Sequence, residues 1–308
     1  MDAAISIRDF SKSYGPVKAV DALSLRVPRG SLFGLIGPDG AGKTTTMRTL
    51  VTLLRPDAGT LTMAGHDVVK DVSRVRAITG YMPQRFSLYP DLSVDQNLTF
   101  FADLFRVPRA EIASRKERLY RFSRLEAFSK RLAGRLSGGM KQKLALSCTL
   151  IHDPEILILD EPTTGVDPVS RTEFWDILHD LNTQGVTILV STPYMDEAML
   201  CDDVAVMHGG RVLASGTPRA LIGAFGFSVY AVHDRDLVLR APDMLAVQGV
   251  HSVQAFGDSI HVTALPGADV TALTQALSKA LDRGVALARI DASLEDVFIE
   301  LVEARHGA

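Results

Sequence analysis

The sequence predicts an α/β fold with a β-rich N-terminal subdomain and a helical insertion, followed by a small α+β domain. Three observations predict it. An apolar run over residues 32–36 passes through a glycine-rich turn into a helix-forming stretch, together LFGLIGPDGAGKTTTMRTL (32–50). Two further stretches, 156–159 and 186–190, are among the most apolar of the chain and have strand length and the composition of parallel strands buried on both faces. From about residue 227 the pattern restarts as strand, helix, two strands, helix, strand and helix, the order of a ferredoxin-like domain. The expected division is 1–225 and 226–308, with the helical insertion at about 86–140.

The glycine turn carries the most specific chemistry. Gly37, Gly40, Gly42, Lys43 and Thr44 match the spacing G-x-x-x-x-G-K-[ST] in the strand–turn–helix context that the motif requires. The core is therefore expected to be that of a P-loop NTPase. Glycines let backbone N–H groups point into a nest for phosphate oxygens. The helix beginning near Lys43 turns its free N–H groups and positive dipole end to the same place. Lys43 is expected to reach the β- and γ-phosphates and the Thr44 hydroxyl to hold Mg²⁺. Pro38, Asp39, Ala41 and Thr45 are expected to complete the loop around the nucleotide phosphates.

Composition narrows the class. The chain has 308 residues, 46% hydrophobic and 22% charged, which is ordinary for a globular protein of about two domains. A net charge of −3 gives no global field for nucleic acid, and no nucleic-acid partner is expected. No apolar run approaches the roughly 20 residues that span a bilayer. MDAAISIRDF lacks a signal-peptide core. Cys148 and Cys201 have no metal spacing and read as reduced packing residues of a cytosolic protein. The eight histidines are scattered, so no metal other than nucleotide-bound Mg²⁺ is expected.

Taken in order, residues 4–10 and 23–27 alternate apolar and polar, the period of half-buried strands. KSYGPVKAVD (12–21) between them reads as a turn. Tyr14 is a candidate platform for a purine ring, or equally an edge aromatic packed on its own sheet. Pro56 and Gly59 end the phosphate helix, and Leu61 to Ala64 reads as a strand. ITGYMPQ (78–84) reads as a short strand ending at Gln84, whose amide can orient Mg²⁺ or water. Ser93 and Gln96 form a capping box before Leu98, Phe101, Ala102 and Phe105 at helical spacing. Arg115, Lys116, Arg118, Arg121 and Arg124 follow, mixed with apolar residues as on a solvated helix face. Ser137 reads as the N-cap of a helix whose first residues are Gly138 and Gly139, again an anion-binding end. EILILDEP (155–162) is a buried strand ending in two carboxylates beside the ligand crevice. Asp160 is expected to hold Mg²⁺ through water, and Glu161 to orient or deprotonate the attacking water. Asp167 is a further acid nearby. Residues 186–192 form another buried strand, 196–200 a short helix, and 203–216 a hairpin around Gly209-Gly210. The tail holds no glycine loop or acid cluster, so it is expected to serve interaction or regulation.

These pieces resemble the nucleotide-binding subunit of an ATP-binding-cassette transporter over the first 220 or so residues. The phosphate loop is shared by many families, whereas LSGGM followed by KQ resembles the cassette signature. The resemblance implies two subunits stacked head to tail, with Ser137, Gly138 and Gly139 of one closing on the ATP of the other. It implies that Asp167 lies in the loop crossing between subunits, that Tyr14 stacks on adenine, and that Gln84 links nucleotide state to a membrane partner. The ending SLEDVFIELV is similar to the drug- and lipid-export branch. That branch implies export through a separate transmembrane permease, with this chain held at the cytoplasmic face of the membrane. The second ATP-binding subunit is expected to be another copy or a different chain.

Two departures stand out. Pro193 occupies the position after the 186–192 strand where the family usually has a histidine contacting the γ-phosphate. Proline has no side-chain donor and holds Thr192 extended. Losing one such donor costs on the order of 10²–10³ in rate in other enzymes, so slower hydrolysis is expected rather than none. A heterodimer whose partner supplies one complete site, or a nucleotide-binding regulator, are the alternatives. The second departure is Asp39, where asparagine is common; it adds a negative charge near the phosphates.

Overall fold

The computed structural model describes residues 3–85, 88–233, 235–256 and 259–306. The chain divides into two compact units, residues 1–218 and 219–308.

In the first unit, β1 (Ala3–Tyr14) and β2 (Val17–Pro28) form an antiparallel pair joined at Gly15-Pro16. The stretch 12–21, which reads as a turn from its polar composition, is mostly strand. The arms pair with each other beyond the apolar core, where polar residues face water, and Asp57 ties the β1 arm down. Its carboxylate accepts from Lys12 Nζ at 2.6 Å and from the Ser13 N–H at 2.7 Å. β3 (Leu32–Ile36) is buried along its whole length and leads through the glycine loop into α1 (Lys43–Leu50). β4 (Ala58–Met63) begins three residues earlier than its apolar residues indicate, because its first three residues are exposed. β5 (His66–Asp67) completes a four-stranded sheet in the order β2-β1-β4-β5.

α2 (Val72–Ile78) precedes β6 (Thr79–Met82). The sequence expectation that this strand ends at Gln84 is corrected: it stops at Met82, since Pro83 has no N–H to continue a ladder. The start of the insertion, Phe86 and Ser87, lies outside the described residues. α3 (Val94–Leu104) carries the Ser93–Gln96 capping box with both hydrogen bonds made. Buried Asn97 ties the preceding loop down, donating to the Tyr89, Leu92 and Ser93 carbonyls and accepting from the Tyr89 N–H. α4 (Arg109–Ser123) presents its basic residues to acids: Lys116 to Asp95 at 2.7 Å and Arg115 to Asp153 at 3.0 Å. α5 (Gly138–Leu150) is capped by Ser137.

β7 (Ile156–Asp160) is fully buried. α6 (Pro168–Thr183) starts at an Asp167 cap with proline in its first turn. β8 (Thr187–Thr192) and the single turn α7 (Met195–Ala198) follow; the turn lies one to two residues before the sequence-predicted span 196–200, since Leu200 already leaves the helix. β9 (Asp203–His208) and β10 (Arg211–Gly216) form the expected hairpin, and α8 (Pro218–Gly223) carries the chain into the second unit. The six strands order as β10-β9-β3-β8-β7-β6, with β3, β6, β7, β8 and β9 paired in parallel. The carboxyl ends of β3, β7 and β8 therefore open on one crevice.

The second unit contains β11 (Ser228–Val232), a 3-10 turn, α9 (Ala241–Leu245), β12 (Val250–Phe256), β13 (Ser259–Ala264), α10 (Val270–Ala280), β14 (Ala288–Ile290) and α11 (Leu294–His306). Its strands order as β12-β13-β11-β14, all antiparallel. Tyr230, Val232, Ile260, Val262, Leu273 and Leu277 share its core. The expected turn at Gly257-Asp258 lies outside the described residues.

Candidate active site

The glycine loop leaves β3 where no side chain fits. A Cβ on Gly37 would lie 2.1 Å from the Met207 carbonyl oxygen, and one on Gly42 would lie 2.5 Å from that of Ala19. Gly42 sits at φ 101° as the N-terminal cap of α1. The loop borders a cleft of about 600 Å³, lined also by Gln84, Glu161 and Gly209-Gly210.

Lys43 is only 3% exposed. Its Nζ donates to the Gly37 and Pro38 carbonyls at 2.8 and 3.0 Å and lies 3.2 Å from Glu161 Oε1. The other Glu161 oxygen accepts from Gln84 Nε2 at 2.8 Å. Loop, strand end and insertion entry thus meet at one carboxylate. Glu161 has a positive φ of 49°. Its N–H donates to the Ser191 carbonyl at 3.2 Å and to Ser191 Oγ at 3.0 Å, which holds that left-handed turn.

Asp160 is buried beside it. One oxygen, Oδ1, accepts from Thr44 Oγ1 at 3.0 Å and from Ser191 Oγ at 2.8 Å. The other, Oδ2, is buried with no hydrogen-bond partner. Burial pushes the Asp160 carboxyl above the usual carboxylate range, and the neighbouring Glu161 charge adds to this. The Ser191 and Thr44 hydroxyls oppose it. A buried, unpartnered carboxylate oxygen beside a threonine hydroxyl is the donor chemistry of a hard divalent cation site, so these residues fit Mg²⁺.

Of the remaining candidates, some line the cleft and some stand outside it. Tyr14, about half exposed, is not among the cleft-lining residues, whereas Val17, Lys18 and Ala19 on β2 are. Asp39 lines the cleft and is exposed. Ser137 and Gly138 are exposed at the start of α5 and also stand outside the cleft lining, as does Gly139. Gly139 packs on α6, where a Cβ would lie 2.3 Å from Ser170 Oγ. Asp167 accepts from the Ser170 N–H at 2.9 Å, and that bond holds its carboxyl below the usual range. Pro193 directly follows β8, and Thr192 Oγ1 accepts from the Tyr194 N–H at 3.0 Å. Sequence reasoning missed Ser191, which touches both Asp160 and Glu161. Its only local signal is a hydroxyl pair closing an otherwise apolar strand.

The sequence profile of the ABC transporter family matches residues 20–164. The Nod factor export ATP-binding protein I of Ralstonia nicotianae is 40% identical over 301 residues, covering 96% of this chain and 93% of that protein. The chain belongs to the ATP-binding-cassette family. Among other ABC relatives, the daunorubicin resistance ATP-binding protein DrrA3 of Streptomyces coeruleorubidus is 38% identical, covering 97% of this chain and 90% of its own. The probable multidrug ABC transporter ATP-binding protein YbhF of Escherichia coli is 48% identical over 222 residues, 71% of this chain. The chain spans only 38% of that relative's length. A solved ATP-binding subunit of an ABC transporter superposes with a TM-score of 0.66 at 30% identity, over 72% of this chain and 93% of its own. No helix among the described residues of this cassette chain is long and apolar enough to cross a membrane.

Proposed function

We propose that the chain is the ATP-hydrolysing subunit of an exporter whose membrane permease is a separate polypeptide. The observation that carries this reading is the convergence of Lys43, Glu161 and Gln84 on one cleft, with Asp160 and its unpartnered oxygen behind them. The glycine loop and Lys43 hold the phosphates of ATP. Thr44 and Asp160, with Gln84 at the cleft edge, hold Mg²⁺, which when bound neutralises charge on the transferring phosphoryl group. Glu161 takes the proton of the attacking water. Ser137, Gly138 and Gly139, standing outside this cleft, complete the site of a second ATP-binding subunit, and Asp167 lies at that junction. Tyr14 stacks on adenine from the tip of the β1–β2 pair. The export relatives, named for Nod factor, daunorubicin and multiple drugs, favour efflux as the direction of transport. The second unit has the 4-1-3-2 strand order of a ferredoxin-like domain and serves interaction or regulation.

Pro193 favours one second reading. Without a side-chain donor there, the chain is the slow half of a heterodimer or a nucleotide-binding regulator. Phosphate release from Mg²⁺ and ATP, measured across protein concentration beside Glu161→Gln, tests both. Turnover rising faster than linearly and lost in the variant fits a self-sufficient dimer. Binding without turnover moves the assignment to the second reading.

A further inference from the structure

Glu197 lies outside every motif above, yet its side chain is among the most enclosed charges in the first unit, at 1% exposure on the single turn α7. Its Oε1 accepts from Thr163 Oγ1 at 2.6 Å, and its Oε2 accepts from Thr192 Oγ1 at 2.5 Å. Arg171 Nε lies 3.5 Å from Oε1. A carboxylate this buried is costly unless its oxygens are met, and here hydroxyls from two different segments meet them, with the Arg171 charge from a third nearby.

Each of those segments leads to the candidate site. Thr163 is two residues beyond Glu161, in the loop that runs on to Asp167. Thr192 follows Ser191, which accepts the Glu161 N–H and donates to Asp160. Arg171 lies on α6, and its N–H donates to the Asp167 carbonyl at 2.9 Å. The Arg171 guanidinium also lies over the Tyr194 ring at 4.5 Å and 3.8 Å from Asp196, so it is held from the Pro193 turn as well. The carboxylate thus joins the loop after β7 to the end of β8, beside Pro193.

We propose that Glu197 is a positioning residue for ATP hydrolysis: through Thr163 and Thr192 it fixes the 162–167 loop, and so the stance of Glu161 and Asp167, against the end of β8. This rests on the ATPase reading above. It assigns work to a residue that never meets the nucleotide, at the turn where Pro193 supplies no donor of its own.

The test uses the full chain and four variants: Thr163→Val, Thr163→Ser, Glu197→Gln and the double variant Glu197→Gln/Thr163→Val. The valine keeps the volume of Thr163 and removes its hydroxyl; the serine keeps the hydroxyl. The readouts are kcat and KM for Mg²⁺ and ATP, melting temperature, and amide hydrogen exchange over 162–167. Thr163→Val is expected to lower kcat about tenfold, the loss of one hydrogen bond to a charged group, with KM within about twofold. It is expected to speed exchange in the loop about tenfold while β7 is unchanged. Serine restores both quantities. Glu197→Gln weakens the Thr163 contact together with those to Thr192 and Arg171, so the double variant is expected to lose less than the sum of the two single variants. Equal losses in valine and serine, additive losses in the double variant, or a raised KM with unchanged kcat would overturn the proposal. If the wild-type chain shows no turnover, the ATPase reading falls, and loop exchange alone decides: release in Thr163→Val keeps the Glu197 tie, and unchanged exchange removes it.

Discussion

Glu161→Gln separates stability from chemistry at the centre of the site. The Lys43–Glu161 pair is 3.2 Å apart, with the two side chains 3% and 7% exposed. Stranding one charge of a buried pair costs about 3–5 kcal/mol. Here Lys43 keeps the Gly37 and Pro38 carbonyls, and glutamine keeps an acceptor of nearly the same shape. The loss should therefore approach that of one charge-assisted hydrogen bond, about 1.5–3 kcal/mol. For a unit of this size that lowers the melting temperature by roughly 3–12 °C. Turnover should fall much further, by about 10²–10⁴, because the group that takes the proton is gone. Nucleotide affinity should hold or improve, since a negative charge leaves the phosphate site. Phosphate release at saturating Mg²⁺ and ATP, thermal melting and a fluorescent-nucleotide titration measure the three quantities. Turnover above one tenth of the wild-type rate would refute Glu161 as the base. Binding lost in step with turnover would recast it as a residue that merely holds Lys43.

The other expectations follow the same geometry. Pro193→His should raise turnover by about 10²–10³-fold by supplying a donor near the transferring phosphate; an unchanged rate discards the missing-histidine explanation. Ser191→Ala removes the hydroxyl shared by Asp160 and the Glu161 N–H, and should lower kcat about tenfold with little change in KM, read from steady-state phosphate release. Thr44→Val should weaken Mg²⁺ dependence, visible as a rightward shift of the metal titration, while nucleotide binding in EDTA is unchanged. Asp167 titrates below its ordinary value near 3.8 because it accepts the Ser170 N–H. A lowered acid contributes stability that is present above 3.8 and is lost as pH falls through its folded value. Asp167→Ala should therefore melt lower than wild type at pH 7, with the gap closing in strong acid; a gap constant with pH would exclude the cap.

Legibility in the sequence followed the range of the interactions. The glycine loop, the Ser93 box and the Asp160-Glu161 pair are read locally, because strand, turn and helix residues within about a dozen positions determine them. The β1–β2 arms read locally as a turn because their residues are polar; they pair with each other from Lys12–Val20 to Tyr14–Val17, and Asp57, more than forty residues away, ties the β1 arm. Read locally, the apolar run of ITGYM carries the strand on to Gln84. The proline at 83 was the available counter-signal, and it frees the glutamine to swing onto Glu161.

What a linear reading cannot supply is which hydroxyl meets which acid. Ser191 and Thr192 are adjacent, and alternation along β8 sends their side chains to opposite faces. One face carries Ser191 to Asp160, 31 positions away, and the other carries Thr192 to Glu197. The strand end is therefore a divider between two buried carboxylates, each met from its own face. This explains why a proline is accommodated directly after it. Proline disfavours a helical conformation at Thr192 and keeps the strand extended to its last residue, so each hydroxyl is presented to its own acid. Pro193→His gives up that restraint while adding a donor. The rate it restores and the loop order it loses should be measured on the same variant, because a gain in kcat with faster exchange over 162–167 is what the two opposed effects together require.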